Sequence, residues 1–203
     1  MLFPVNISTV KIMTPMINFY YPMVTGMSNF LLQQKINCKI FNFTKKFILD
    51  LKYLDMPTYI TGSYEIKTNE RGVLSFILSG LGDFKGAHPV NSVKSLNLNI
   101  ETGKVYKFNE LFKKDSDYIK IISMIGEREF KKQYTDLLNY EKYKGVKPNQ
   151  DYFLCGSNLM IYFQQYELGP RPLGFPYFSV PSYEIENIID EKSILGIVNP
   201  AIP

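Results

Sequence analysis

One histidine, two cysteines and no tryptophan occur in the 203 residues. A single imidazole, His88, cannot supply a three-histidine zinc site or the two-histidine metal centre of polysaccharide deacetylases. A serine–histidine–acid triad would have to use His88, yet no Gly-x-Ser-x-Gly elbow is present to carry the nucleophile. Gly80, Gly82 and Gly86 have the wrong spacing for a dinucleotide fingerprint, and no helix follows them to receive a phosphate. The absence of tryptophan weighs against a dedicated sugar-binding platform. Cys38 and Cys155 allow one disulfide at most, and the expectation is that both are free thiols serving as small apolar core side chains.

Long apolar runs are also missing. No stretch reaches the roughly 20 apolar residues that span a bilayer. The opening MLFPVNISTVKIMTP alternates apolar and polar residues and lacks the basic start, apolar block and cleavage site of a signal peptide. These residues are therefore expected to be a cytosolic protein or a mature or trimmed domain, and they leave the compartment undetermined. Charge of one sign is scarce: the net charge is +4, and the lysines lie interspersed with acids. A phosphate-tracking surface would concentrate its cations on one face, so nucleic acid is not an expected partner. An apolar content of 45% spread through the chain excludes disorder.

What is present is alternation and helical periodicity. Val5 to Ile12 and Ile17 to Val24 read as strands, punctuated by Thr14-Pro15 and Tyr21-Pro22. Ile36, Ile40, Phe43, Phe47, Leu51 and Leu54 recur at steps of three or four and predict a helix over 26–54, capped by Ser28 and ended before Pro57, with Phe41 and Ile48 widening its apolar arc. Thr58 to Thr68 and Val73 to Leu81 flank Asn69-Glu70-Arg71-Gly72 as a hairpin. Asn91 to Ile100, the Glu101-Thr102-Gly103-Lys104 turn and Val105 to Phe108 predict a second. Another helix starts near Asp115 to Asp117 and carries Tyr118, Ile122, Ile125, Phe130, Tyr134, Leu137 and Leu138, with a break or kink at Gly126. Tyr152 to Cys155 and Leu159 to Tyr166 form a strand pair, Gly169 to Gly174 a stiff proline loop, Phe175 to Val180 a last strand and Pro181 to Ile189 a short helix. The fold class this order predicts is α+β: a mostly antiparallel sheet with two main helices packed on it, in two related halves, residues 1–83 and 84–203.

Three stretches carry a resemblance. Tyr21-Pro22-Met23-Val24 leads into Asn29 and Ile36-Asn37. Gly86-Ala87-His88-Pro89 is followed by Leu96-Asn97-Leu98-Asn99, Thr102-Gly103-Lys104 and Leu111-Phe112. Phe153 to Tyr166 precedes Glu167, Gly169, Pro170, Gly174 and Val180-Pro181. In this order they resemble a bacterial pair of domains of unknown function, which forms the extracytoplasmic part of anti-sigma-V factors and accompanies some peptidoglycan deacetylases. Arg171-Pro172 stands where that family carries a small or aromatic pair, and no membrane helix or signal sequence accompanies these residues. The resemblance implies a sensing or binding module, with lysozyme or another cell-wall hydrolase as partner and catalysis left to other domains.

No catalytic residue, metal ligand or cofactor is assigned. Asp50 with Asp55, and Glu184 with Glu186, lie where solvated charge explains them better than glycosidase carboxylates. Cys155 has no activating neighbour in sequence. The compositional excess is aromatic, 15% of residues. Tyr162, Tyr166, Phe175, Tyr177, Phe178 and Tyr183 crowd around the proline loop, and aromatics on a stiff loop lose little entropy when they bind. Arg171, Phe175, Tyr177 and Tyr166 are the expected binding residues, with His88 as a turn residue that can contact a ligand. The partner expected is a protein, with carbohydrate or peptidoglycan as the alternative.

Overall fold

The computed structural model describes residues 4–133 and 143–199. Among them the α+β class holds: eight strands in two sheets, mostly antiparallel, with two main helices and a short third. Packing divides the chain at Lys104/Val105, into units Met1–Lys104 and Val105–Pro203. No described helix is long and apolar enough to cross a membrane.

In the first unit the sheet order is β1 (Asn6–Thr14), β2 (Ile17–Thr25), β3 (Tyr59–Glu70), β4 (Val73–Asp83), β5 (Val90–Asn99). Every neighbouring pair is antiparallel except β2 and β3, which run parallel over Ile17–Phe19 and Ile60–Gly62 because α1 (Phe30–Asp50) crosses between them. The cap of α1 is Asn29, not Ser28: Asn29 Oδ1 accepts from Leu32 N at 3.0 Å, and its carbonyl accepts from Gln33 N at 3.0 Å. The helix stops at Asp50, short of the predicted residue 54. Leu54, expected on the buried stripe, is 80% exposed with a left-handed φ of 48°. Leu51 closes the stripe instead, fully buried with Ile36, Ile40 and Phe47.

Glycines allow α1 to settle this closely on the sheet. Gly62 and Gly80 face each other across β3 and β4. A Cβ on Gly80 would lie 2.5 Å from Leu51 Cδ1, and one on Gly82 would lie 2.0 Å from the Leu51 carbonyl oxygen. Phe19 and Phe47 meet edge to face above this patch, ring centroids 5.8 Å apart.

Beyond Phe19, β2 parts from β3, and asparagine amides replace strand partners. Asn37 accepts from Val24 N and donates to Val24 O, both at 2.8 Å. Asn69 does the same for Val5, at 3.0 Å and 2.8 Å. Buried backbone polar groups need partners, and a primary amide presents a donor and an acceptor side by side as a strand does. Asn37 thus explains why Tyr21 to Val24 and Ile36-Asn37 form one sequence pattern.

The Leu-Asn-Leu-Asn and Thr-Gly-Lys pattern likewise has a structural basis. Asn99 Oδ1 accepts from Glu101 N at 2.9 Å and Thr102 N at 3.0 Å, Gly103 takes φ of 66°, and Asn99 N donates to Lys104 O at 2.9 Å. The expected second hairpin does not form. After the turn the chain enters a 3-10 helix, Phe108–Leu111, whose Glu110 carboxylate accepts from Lys107 N at 2.8 Å while Phe108 and Leu111 are buried.

The second unit has its own sheet, β6 (Tyr152–Cys155), β7 (Asn158–Tyr162) and β8 (Tyr177–Pro181), covered by α2 (Tyr118–Gln133). Phe130 meets Phe163 and Phe178 here, at 5.8 and 5.2 Å. The helix runs unbroken through Gly126. That glycine makes room for rings, since a Cβ there would lie 2.2 Å from Tyr143 Oη and 2.7 Å from Phe178 Cζ. Burial pushes the Tyr143 phenol well above its ordinary pKa, and its hydroxyl donates to Ser123 O at 3.0 Å. Tyr134, Leu137 and Leu138 lie outside the described residues. The segment expected as one short helix after β8 forms two 3-10 turns, Ser182–Glu184 and Glu186–Ile188, before α3 (Ile194–Val198).

Candidate interaction surface

The connection between β7 and β8 carries Tyr166, Arg171 and Phe175, three of the five binding residues named from sequence, and Tyr177 opens β8. Strand β7 ends at Tyr162, earlier than expected, because the chain turns at Gln164: Gln164 N donates to Glu167 Oε2 at 3.0 Å and Glu167 N to Gln164 O at 3.1 Å. Glu167 is held in turn by Lys147 Nζ at 2.6 Å, and Gln164 Nε2 donates to Asp151 Oδ2 at 2.9 Å. Phe163 N donates to Pro176 O at 2.9 Å, tying the two ends of the connection together. Leu168 is buried, while Tyr166 between these anchors is 53% exposed in the left-handed region, φ 69°. That conformation is unfavourable for a bulky residue and persists only where the surroundings impose it.

Arg171 to Leu173 form a 3-10 turn closed by Leu173 N to Pro170 O and Gly174 N to Arg171 O, each 3.0 Å. Gly174 is glycine for its φ of 67°, because a Cβ there would meet nothing within 4 Å. Arg171 and Phe175 are half-buried; Tyr177, opposite Tyr162 in the register, is 49% exposed. Tyr183 is exposed as well, whereas Tyr162 and Phe178 are core.

His88 belongs to the other unit, in the exposed loop between β4 and β5. Asp83 Oδ1 accepts from Lys85 N at 2.7 Å and holds Lys85 at φ 61°. Gly86 leaves room for the Phe84 ring, which would otherwise lie 2.0 Å from its Cβ and which stacks on Tyr53 at 4.2 Å. The Gly-Ala-His-Pro pattern therefore accompanies a packed aromatic pair. Around it Tyr53, Leu54, Met56 and Tyr59 are exposed. This apolar group is not legible from residue order, because its members sit at a helix end and a strand start where burial is the default expectation.

Chemistry is sparse. Among the described residues no group of three or more His, Cys, Asp or Glu could hold a metal ion. Cys38 and Cys155 are free, as expected, but both are exposed, which overturns the core-thiol reading. Cys38 lies on the outer side of α1. Cys155 ends β6 beside Asn158, on the strand face opposite buried Leu154. Glu184 pairs with Arg128 at 2.7 Å, tying the turn after β8 to α2, and Arg128 also meets Glu129 at 2.9 Å.

Residues 109–183, within the second unit, match the family described as protein of unknown function, DUF3298. The chain is 24% identical over 196 residues to the anti-sigma-V factor RsiV of Bacillus subtilis (strain 168), covering 83% of this chain and spanning 63% of RsiV. Two solved structures share the fold. A DUF3298 family member from Bacteroides fragilis superposes with a TM-score of 0.75 at 11% identity, over 96% of this chain and 97% of that one. One from Pseudomonas aeruginosa PAO1 gives 0.66 at 11% identity, over 93% and 95%. The chain thus carries a DUF3298 segment and is homologous to the anti-sigma-V factor RsiV.

Proposed function

We propose that this chain is a non-catalytic recognition module of the bacterial cell envelope, which senses a protein partner through the connection between β7 and β8. Homology to an anti-sigma factor supports a sensor-type, extracytoplasmic module. The observation that carries the reading is Tyr166: an exposed aromatic side chain held in a left-handed backbone by anchors on both sides. Strain at a solvent-facing residue brings the fold no packing, whereas it presents a ring already ordered for binding. Arg171, Phe175 and Tyr177 extend the surface, and His88 serves as a second contact. The partner is lysozyme or another cell-wall hydrolase.

Calorimetric titration with lysozymes and cell-wall hydrolases tests this directly. Tyr166→Gly relieves the strained φ, so it leaves thermal stability unchanged or higher while weakening binding by about tenfold or more. No binding by any of these enzymes, or equal binding by Tyr166→Gly and Tyr177→Ala, overturns the reading. A carbohydrate or peptidoglycan ligand is the second reading, favoured by exposed Tyr166, Tyr177 and Tyr183. Muropeptides or chitooligosaccharides would then shift the NMR signals of these tyrosines, and unchanged spectra reject it.

A further inference from the structure

Strand β1 lies at the edge of the first sheet, and among the described residues it pairs with β2 alone. An open edge is a template for another strand, and proteins blunt long ones with proline, charge, bulges or a covering segment. β1 runs for nine residues, Asn6–Thr14, with no proline and no shift in its register to β2. Its one charge, Lys11, does not guard the edge: Lys11 Nζ stands 5.2 Å from the centre of the Tyr20 ring, drawn across the hairpin onto β2. Thr9, Lys11 and Met13 are exposed, and Ile7, Val10 and Ile12 are half-buried.

The register tells which backbone groups face outward. Thr14 and Ile17 close a two-residue turn, which makes them a hydrogen-bonded pair, and the pairs alternate from there. Asn6, Ser8, Val10 and Ile12 therefore bond to β2, while Ile7, Thr9, Lys11 and Met13 turn their N–H and C=O groups to the free edge. Pro22 agrees with this alternation, because it stands opposite Thr9, where β2 needs no N–H for β1. Val5 agrees as well: it is the next outward residue, and both its groups are taken by Asn69. Thr9 Oγ1 meets Tyr64 Oη at 2.7 Å, which sets β3 against a face of β1 and not its edge. Among the described residues nothing bonds the outward groups from Ile7 to Met13. The open window is thus bounded by the Asn69 clamp at Val5 and by the turn at Pro15, and its midpoint is Val10.

We propose that β1 pairs antiparallel with β1 of a second copy of this chain, about a two-fold axis at Val10, and joins the two first-unit sheets edge to edge. The window is complementary to itself. In this register Ile7 of each copy faces Met13 of the other, Thr9 faces Lys11, and Val10 faces Val10, so apolar meets apolar and no lysine is opposed by a lysine. All four outward residues find partners, giving about eight backbone hydrogen bonds. Val5, already satisfied by Asn69, falls opposite Pro15, where the other chain turns away. A shift by two residues sets Lys11 against Lys11 and leaves Ile7 unpaired, or sets Ile7 against Lys11 and drives Met13 into the Asn69 clamp. The self-match selects a second copy over an unrelated strand. It shares no residue with the β7–β8 connection, so each proposal can fail without the other.

Sedimentation equilibrium and amide exchange on the full chain provide the test. One strand edge buries less than the roughly 1,200 Å² of a stable interface, so the dimer is reversible, with a Kd on the order of 0.1 mM. As concentration rises through that value, exchange slows at the Ile7, Thr9, Lys11 and Met13 amides and stays constant at Val10 and Ile12, which β2 already bonds. Lys11→Pro removes an outward N–H that β2 does not use. It weakens the dimer by about tenfold or more while the Val10 and Ile12 amides remain protected, which separates lost pairing from lost folding. In a Cys38→Ser, Cys155→Ser background, Val10→Cys cross-links to itself under mild oxidation. Ser8→Cys and Ile12→Cys cross-link only when mixed, because each faces the other across the axis. A chain that stays monomeric up to about 1 mM, undiminished dimerisation of Lys11→Pro, or Ser8→Cys alone cross-linking as fast as Val10→Cys overturns the proposal. So does protection of the outward amides by an unrelated extended peptide on a chain that remains monomeric.

Discussion

At the scale of single residues, the side chains that most constrain this protein are those that are missing or orphaned. Gly82 is the clearest case. A methyl group there would lie 2.0 Å from the Leu51 carbonyl oxygen, a backbone atom that moves only if the end of α1 moves. Gly82→Ala is expected to destabilise the protein by about 1–3 kcal/mol, read as a lower denaturant midpoint with unchanged slope. Thr44 presents the opposite situation. Its hydroxyl is buried on the inward stripe of α1 and has no hydrogen-bond partner. Removing an unsatisfied buried hydroxyl while keeping the branched shape returns its desolvation cost, so Thr44→Val should raise stability by about 1 kcal/mol. A fall in melting temperature for that variant would show that the hydroxyl is satisfied after all.

At the scale of elements, the hairpin of β1 and β2 depends on side-chain amides where it leaves the sheet. Asn37 supplies both a donor and an acceptor to Val24, so its variants should separate the two contributions. Asn37→Asp keeps the acceptor and loses the donor; Asn37→Ala loses both. The expected order of stability is Asn, then Asp, then Ala, with the alanine variant lower by about 1–3 kcal/mol. Hydrogen exchange at the Val24 amide should accelerate in the alanine variant before exchange in β4 does, because the hairpin opens locally. Uniform acceleration across the first unit would count against this account. The turn after β5 uses the same device through Asn99, which is why asparagines recur at the ends of strands here.

At the scale of the whole molecule, stability should respond to acid through the ion-pair cluster on α2. Lys132 and Arg128 hold the Glu129 carboxyl below its ordinary value of 4.5, and Glu184 and Glu129 raise the Arg128 guanidinium. Because the folded pKa of Glu129 is the lower one, its contribution is fully present above the ordinary carboxylate range and is lost as pH falls through the depressed value. Unfolding followed from pH 6 down to pH 3, on the order of the range where carboxylates titrate, should show a drop that is shallower in Glu129→Gln. Identical profiles for both proteins would remove Glu129 from the explanation. The cluster is partly solvent-exposed, so high salt should also shrink the difference.

Periodicity alone was enough to find both main helices, the long β3–β4 hairpin and the α+β class, because apolar spacing of two or of three and four decides which face an element can bury. The ordered patterns around Asn37, Asn99 and Gly174 could be read as signatures before their geometry was known, since amide caps and left-handed glycines leave the same residues wherever a chain turns. Tertiary structure decided the rest. Whether Leu54 or Leu51 closes the helix, whether Gly126 bends α2 or admits Phe178, and whether Cys38 and Cys155 are buried all depend on what a distant segment places alongside. Exposure of Tyr166, Phe41 and the Tyr53 group is of the same kind. An apolar residue records that it can be buried, and only the packed neighbours determine whether anything covers it.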